Sequence, residues 1–153
     1  MAVQLESAEE FLASFDAFAQ AVRRARGAAP QSRPDLLTLS QHALLVGLRD
    51  SDAARVSDMA AGAGIAPSTA SRILDALERR ALVRRSPAAH DRRGVSVALT
   101  GAGRRALDER DQWIRARQLS FFDELPDGER ELVVDLLLRL AALIDELSLG
   151  PES

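Results

Sequence analysis

Residues 68–94 read STASRILDALERRALVRRSPAAHDRRG, and this stretch decides the fold of the chain. It passes from small polar residues into an amphipathic helix, then into a short apolar strand and an arginine-rich loop. The helix positions expected to face inward recur at helical spacing; they are Ala70, Ile73, Leu74 and Leu77. This order of elements is typical of a helix that enters a DNA groove with a basic hairpin beside it.

The residues before this stretch supply another helix and a tight turn. Ser57 is predicted to cap a helix over Asp58 to Ala63. Gly64 follows, where a left-handed helix end favours a residue without a Cβ. Pro67 then takes the first position of the next helix, where its missing N–H costs nothing. Two helices joined in this way, the second with a polar outer face, predict a helix-turn-helix.

The residues after this stretch complete a hairpin. Leu82 and Val83 are strand-like, and residues 95–99 alternate with the period of two that a strand requires. Thr100 is predicted to cap a helix that runs from Gly101 to about residue 122. The predicted fold is therefore mostly α with a small β-hairpin wing, the winged helix-turn-helix class.

Longer helical segments flank this centre. Residues 7–10, Ser-Ala-Glu-Glu, and residues 38–41, Thr-Leu-Ser-Gln, both read as capping boxes that open helices. Residues 27–34 contain two prolines and are predicted to be a linker. The last helix begins at Pro126-Asp127, and its apolar residues 132–147 favour a subunit interface over a monomer core.

Bulk composition bounds the class of protein. A chain of 153 residues with 46% hydrophobic and 28% charged residues is expected to form one globular domain. It has no apolar run long enough to span a membrane and no basic-then-apolar signal sequence, so we expect a cytoplasmic protein. Cysteine is absent, which excludes disulfides, thiolate metal ligands and thiol switching.

The net charge of −3 is unevenly distributed. Residues 1–38 carry a net charge of −1, residues 39–100 of +3 and residues 101–153 of −5. Residues 79–93 contain six arginines and a single acid, Asp91, for a net charge of +5. The basic segment thus coincides with the predicted wing, which a merely solvated charged surface does not explain.

The chemistry of DNA grooves accounts for the residue types in the predicted second helix. Small side chains at Ser68, Thr69 and Ser71 let the helix N-terminus, whose N–H groups favour phosphate, approach the duplex. Arg72 is long enough to reach a base edge, with guanine O6 and N7 the usual target.

The loop supplies a second set of candidates. Arg92 and Arg93 are suited to a minor groove, whose negative potential is greatest where it is narrow. Asp91 would repel DNA if left unpaired, and it lies two residues before Arg93 on the same side of the strand. We therefore expect Asp91 to pair with Arg93 and to orient it.

Taken in order, these segments resemble the MarR family of bacterial transcription regulators. No single segment is specific, but their order and spacing are, and the resemblance covers roughly residues 10–147. The matching segments are residues 37–45, Val56 to Ala60, Ile65 to Glu78, Leu82 to Arg85, the wing Asp91-Arg-Arg93, and Leu99-Thr100 with Gly103.

The resemblance implies a two-fold dimer held by the first and last helices. The second helix of the helix-turn-helix would enter the major groove, and the wing the minor groove, of a palindromic operator. The DNA-binding domain would be residues 37–100, and the helical dimerisation region residues 1–36 and 101–153. The implied DNA contacts are Ser68, Thr69, Ser71, Arg72, Arg92 and Arg93, with Asp91 as the orienting residue. The candidate interface residues are Phe11, Phe15, Leu136, Leu140 and Leu143.

Members of this family often lose DNA affinity when a small, frequently aromatic acid binds between the dimerisation and DNA-binding parts. Phe18, His42 and Trp113 are the candidates for such a pocket. Each also has a structural explanation, because His42 fits a half-buried helix position and Trp113 fits ordinary packing.

One further residue departs from the family pattern. The family usually has glycine just before the second strand, where this chain has Ala81. A left-handed alanine is strained by about 1 kcal/mol. We therefore expect slightly altered geometry at the end of the preceding helix.

The function expected from these features is a DNA-binding transcription regulator, a homodimeric repressor released by a small ligand. The alternative is a winged-helix dimer for protein–protein interaction, which the acidic C-terminal part and the negative net charge motivate. An enzyme is not expected, because no phosphate loop, metal cluster or nucleophile–base pairing appears at a recognisable spacing. No cofactor or metal is expected either, and the operator, the effector and the sign of regulation are not specified by the sequence.

Overall fold

The structure is a computed structural model that describes residues 2–28, 33–88 and 91–149, with side chains described from residue 7 onward except those of residues 91–93. Over these residues the chain is mostly helical with a small sheet. The elements are α1 (Ala2–Gly27), α2 (Leu39–Val46), β1 (Ala54–Arg55), α3 (Val56–Ala63), α4 (Pro67–Arg79), β2 (Val83–Ala88), β3 (Asp91–Leu99), α5 (Gly101–Glu124) and α6 (Asp127–Leu149). This order confirms the predicted winged helix-turn-helix class.

The sheet has three antiparallel strands in the order β1-β3-β2. In the hairpin, Val83 pairs with Leu99 and Arg85 with Val97, and the register shifts between Pro87 and Ala88. The predicted hairpin is confirmed, and the two-residue strand β1 adds a third strand by pairing Ala54 with Val97.

The core lies among α2, α3, α4, the sheet and the first turns of α5. Fully buried leucines from each of the helices α2, α4 and α5 meet there and hold the helix-turn-helix against the sheet. The largest fully buried side chains are Leu37, Leu44, Leu45, Leu48, Leu74, Leu77, Val97 and Leu107.

Thr38 and Pro67 start helices as predicted, whereas Ser7 and Ser57 do not. Thr38 forms a complete capping box, in which its side chain accepts from the Gln41 N–H and its own N–H donates to the Gln41 side chain. Pro67 opens α4 as predicted. Ser7 lies inside α1, because that helix already begins at Ala2. Ser57 lies in the first turn of α3, because the extended N-cap residue is Arg55.

The junction from α4 to the wing is a tightly hydrogen-bonded helix end. The N–H of Ala81 donates to the Glu78 carbonyl at 2.8 Å, and the N–H of Leu82 donates to the Leu77 carbonyl at 2.9 Å. Ala81 adopts a φ of 56°, in the left-handed region where glycine is usual. The expectation of altered geometry was therefore wrong, because the chain keeps the ordinary helix end and the alanine carries the strain.

Thr100 ties the start of α5 to this junction. Its hydroxyl donates to the Ala81 carbonyl at 2.7 Å and accepts from the N–H of Gly103 at 3.0 Å, which confirms it as a cap. Gly103 passes so close to Leu82 that a Cβ there would overlap the Leu82 carbonyl oxygen. The first turn of α5 therefore lies against the backbone just before β2, at a distance that only a residue without a side chain permits.

The chain divides into two compact units, Met1–Asp111 and Gln112–Ser153. The first contains the winged helix-turn-helix, and the second contains α6 and the end of α5. The functional division into a DNA-binding domain at residues 37–100 and flanking dimerisation helices stays a prediction. Within the described residues, no helix is long and apolar enough to cross a membrane.

Candidate nucleic-acid interface

Helix α4 presents a polar surface opposite its buried side. Ala70, Leu74 and Leu77 are buried in the core, whereas Ser68, Ser71 and Arg72 are exposed. Thr69 is half-buried between the two sides. The structure thus places three of the four predicted major-groove residues on one accessible surface, with the fourth at its edge.

The N-terminus of α4 has no side-chain cap. Its N-cap residue is Ala66, which offers no side-chain acceptor, and Pro67 follows in the first turn. Helices begin with N–H groups that lack partners within the helix, and these groups favour anions such as phosphate. Small exposed residues beside an uncapped helix start fit close approach to a DNA backbone.

Strand β2 of the wing carries arginines on both of its faces. Arg84 is exposed on β2, and Arg85 is half-buried on the opposite face, which it shares with buried Val83. The backbone of residues 91–93 is in β3, but the side chains of Asp91, Arg92 and Arg93 lie outside the described part of the structure. The pairing of Asp91 with Arg93, and the minor-groove role of Arg92 and Arg93, stay predictions.

Arg85 makes contacts with α4 that were not predicted from the sequence. Its guanidinium forms an ion pair with Asp75 of α4 at 2.8 Å and donates to the Ser71 carbonyl at 3.0 Å. Its backbone N–H donates to the Glu78 carboxylate at 3.3 Å. The available signal was the two-residue spacing from Val83, which places Arg85 on the face of β2 that packs against the helix.

A second polar cluster joins the linker before α2 to α5 and to the end of α4. Arg33 binds both Asp35 and Glu109, at 2.9 Å and 2.5 Å, and Arg80 donates to the Asp35 carbonyl at 2.7 Å. The hydrogen bond from Arg33 lowers the pKa of Asp35. These groups are exposed, so the contacts fix the position of the linker more than they add stability.

His42, one of the three predicted pocket residues, is engaged within the first unit. Its Nε2 lies 2.6 Å from an oxygen of Asp111, whose other oxygen binds Arg49. His42 and Asp111 are both more than four-fifths buried. Although burial opposes ionisation of Asp111, the hydrogen bonds from His42 and Arg49 lower its pKa. This arrangement matches the structural explanation for His42 and leaves a ligand role untested.

The other predicted pocket and interface residues are exposed or partly exposed. Phe18 is 59% exposed, and Trp113 is 47% exposed. Among the candidate interface residues, Phe11 and Leu136 have about half of their surface exposed, and Phe15, Leu140 and Leu143 are intermediate. The rings of Phe11 and Phe15 lie 6.0 Å apart on α1. Exposed aromatic and leucine side chains of this kind are typical of surfaces that become buried when subunits assemble.

The segment that contains the winged helix-turn-helix is similar to known proteins of the MarR family. Residues 37–95 match the model of the MarR family. BpsR from Bordetella bronchiseptica, whose DNA binding is regulated by 6-hydroxynicotinic acid, is 29% identical; the match covers 81% of this chain and 98% of that chain, with a TM-score of 0.59. The chain has no significant match among curated proteins.

Two more distant structures share the fold. MepR from S. aureus, solved in complex with DNA, is 22% identical over 83% of this chain and 94% of that chain, with a TM-score of 0.68. The PcaV transcriptional regulator from Streptomyces coelicolor is 21% identical over 85% of this chain and 96% of that chain, with a TM-score of 0.70.

Proposed function

We infer that the protein is a DNA-binding transcription regulator rather than an enzyme, because its residues 37–95 match the MarR family. We propose further that it is a homodimeric, cytoplasmic repressor that binds a palindromic operator and is released by a small ligand. The observation that carries the proposal is the exposed start of α4, with Ser68, Ser71 and Arg72 on its surface and the basic segment of residues 79–93 after it.

The geometry of α4 supports a role in base recognition. Its apolar side is fixed by three fully buried residues, so the opposite side is presented in one orientation. Arg72 is a long basic side chain on that surface, near the helix start, and its fork can donate two hydrogen bonds to guanine. Ser68, Thr69 and Ser71 would then bind phosphate oxygens and fix the register of the helix on the duplex.

A small aromatic acid is the ligand class that the relatives support best. The DNA binding of BpsR is regulated by 6-hydroxynicotinic acid, and BpsR aligns with four-fifths of this chain. We propose that this chain responds to an acid of similar size, and that Phe18, His42 and Trp113 are each candidate contacts of such a ligand. A thermal-shift screen of hydroxylated pyridine and benzene carboxylic acids tests this, because a ligand that binds the folded state raises the melting temperature.

The DNA-binding proposal is tested with two single variants and a matched control. Arg72→Ala and Arg93→Ala each remove one arginine from the proposed interface, and Arg139→Ala removes one from α6, where the side chain is 74% exposed. On a duplex from the protein's own promoter, we expect Arg72→Ala to weaken binding by about tenfold or more, the size of a lost bidentate base contact. Arg93→Ala should weaken binding to all sequences, and Arg139→Ala should leave affinity unchanged.

Unchanged affinity in both interface variants would overturn the proposed site. If, in addition, the wild-type protein bound the duplex with an affinity that did not depend on salt, the protein-interaction alternative would be favoured. Arginine–phosphate contacts release counterions, so a complex that they hold becomes weaker as the salt concentration rises.

A further inference from the structure

Arg85 of the wing contacts helix α4, the recognition helix of the proposed function, at several points along its length. Arg85 of β2 reaches α4 with two nitrogens of its guanidinium, one to the Asp75 carboxylate at 2.8 Å and one to the Ser71 carbonyl at 3.0 Å. The backbone N–H of the same residue donates to Glu78, one helical turn further along. The contacts thus span the helix from its first turns to its last.

The orientation of the guanidinium is fixed. The side chain is only 24% exposed, and its Nε is buried with no hydrogen-bond partner among the described residues. A buried donor without a partner is unfavourable, so the two contacts with α4 must hold the group in place. Arginine can make both contacts at once because its nitrogens form a rigid planar fork.

The ion pair itself contributes little to stability. Asp75 is 49% exposed, and ion pairs at such solvent-exposed positions are largely screened by water. The consequence of the contact is therefore geometric. The carbonyl that Arg85 holds belongs to Ser71, the residue directly before Arg72, so the guanidinium fixes the part of α4 that carries the proposed base-reading side chain.

We propose that Arg85 is a positioning residue for DNA recognition, which sets α4 against the wing so that Arg72 meets its base while the wing meets the flanking groove. The inference rests on the proposed DNA-binding function. Arg85 does not touch DNA in this account, because its fork is occupied by Asp75 and by the Ser71 carbonyl. Its removal should lower the preference for the correct sequence more than it lowers the affinity for DNA in general.

Asp75 makes a simple removal of Arg85 ambiguous. In Arg85→Ala an acid on the recognition helix loses its partner and would repel every duplex. The double variant Arg85→Ala/Asp75→Ala removes the pair without changing the net charge, so it isolates the geometric effect. Arg84→Ala is the matched control, because it removes the same charge from the neighbouring, exposed position on the other face of β2.

The experiment uses a duplex that the full-length wild-type protein selects from a random pool, with a shuffled duplex of the same composition. For each variant, the ratio of the two affinities is measured, together with the melting temperature and the dependence of affinity on salt. We expect this ratio to fall about tenfold in the single and the double variants, which corresponds to the loss of one base pair's discrimination. The salt dependence of the double variant should equal that of the wild type, and Arg84→Ala should keep the wild-type ratio.

Two results would overturn the inference. One is a double variant that keeps the wild-type ratio. The other is an Arg85→Ala protein that loses affinity equally for both duplexes and has a shallower salt dependence, which the double variant shares. That result would make Arg85 a phosphate contact. Failure of the wild-type protein to select any duplex would instead refute the proposed function on which the inference rests.

Discussion

Gly103 lies where the first turn of α5 passes the backbone of Leu82. A Cβ at this position would overlap the Leu82 carbonyl oxygen and would lie 2.9 Å from the carbonyl carbon. These atoms belong to the backbone between α4 and β2, which is already held by Thr100 and by the left-handed Ala81. The approach of α5 to the wing therefore depends on a hydrogen atom in place of a side chain.

We predict that Gly103→Ala lowers the free energy of unfolding by about 3 kcal/mol, as expected when a packed backbone is forced apart. The matched control is Gly62→Ala in α3, where a Cβ would have nothing within 4 Å. That variant should gain up to about 1 kcal/mol from the higher helix propensity of alanine. Urea unfolding of both variants checks the difference, and equal stabilities would contradict the close packing described here.

At the scale of elements, α2 and α5 are joined through a carboxylate. One carboxylate oxygen of Asp111 in α5 contacts His42, and the other binds Arg49. The Asp111 side chain is 18% exposed. Arg104 of α5 also donates to the Arg49 carbonyl at 3.3 Å. These contacts hold the part of α5 that lies in the first unit against α2 and the turn after it.

The pH dependence of stability should report this contact. The pKa of Asp111 lies below its ordinary value of 3.8 in the folded protein, so the unfolded chain takes up the proton first as the pH falls. The stabilisation is therefore fully present above the ordinary pKa and is lost as the pH falls through the folded value. We predict that Asp111→Asn is less stable than the wild type by about 2 kcal/mol at neutral pH.

This difference should shrink as the pH falls below the ordinary pKa of 3.8, because the unfolded wild-type chain then takes up a proton that the folded protein resists. Asp108→Asn, an exposed position on the same helix, is the control and should follow the wild type at every pH. Chemical denaturation between neutral and acidic pH measures both. A difference that stayed constant down to pH 3 would show that the ionisation of Asp111 is not involved.

Elements set by local chemistry were predictable from the sequence. The Thr38 capping box, the left-handed Gly64 and the Pro67 helix start each involve residues within a few positions of one another. The start of α3 was misplaced because pairing of β1 with distant β3 extends Arg55, which moves the helix start to Val56 ahead of the best local cap.

The contacts that position the candidate site were not predictable in the same way. His42 and Asp111 are 69 residues apart, and Arg85 and Ser71 are joined only when the wing folds back on α4. No periodicity within one element relates such pairs. The exposed face of α4 could be predicted, because apolar spacing alone fixes which side of a helix is buried.

At the scale of the whole molecule, the acidic net charge and the basic wing segment have separate locations. Residues 101–153 carry a net charge of −5 and residues 39–100 of +3. Helix α6 has no buried residue in the monomer, although leucine, valine and isoleucine recur along it. A surface of this kind is expected to be covered by a second subunit.

We predict that Leu136→Glu converts a dimer into a monomer, because a carboxylate in an apolar interface loses its hydration without gaining a partner. Leu138→Glu is the control, because a residue two positions further along a helix lies on its opposite side. Sedimentation velocity distinguishes the two species. A Leu136→Glu protein that sediments as the wild type does would remove Leu136 from the interface.

DNA binding by this chain is tested most directly by the affinity of the wild-type protein for its own promoter duplex, measured over a range of salt concentrations. If arginines of the winged helix bind phosphates, the logarithm of the affinity falls linearly with the logarithm of the salt concentration, with a slope of about −0.9 for each phosphate contact. Undetectable binding at low salt, or an affinity that does not change with salt, would contradict the account of this chain as a DNA-binding regulator.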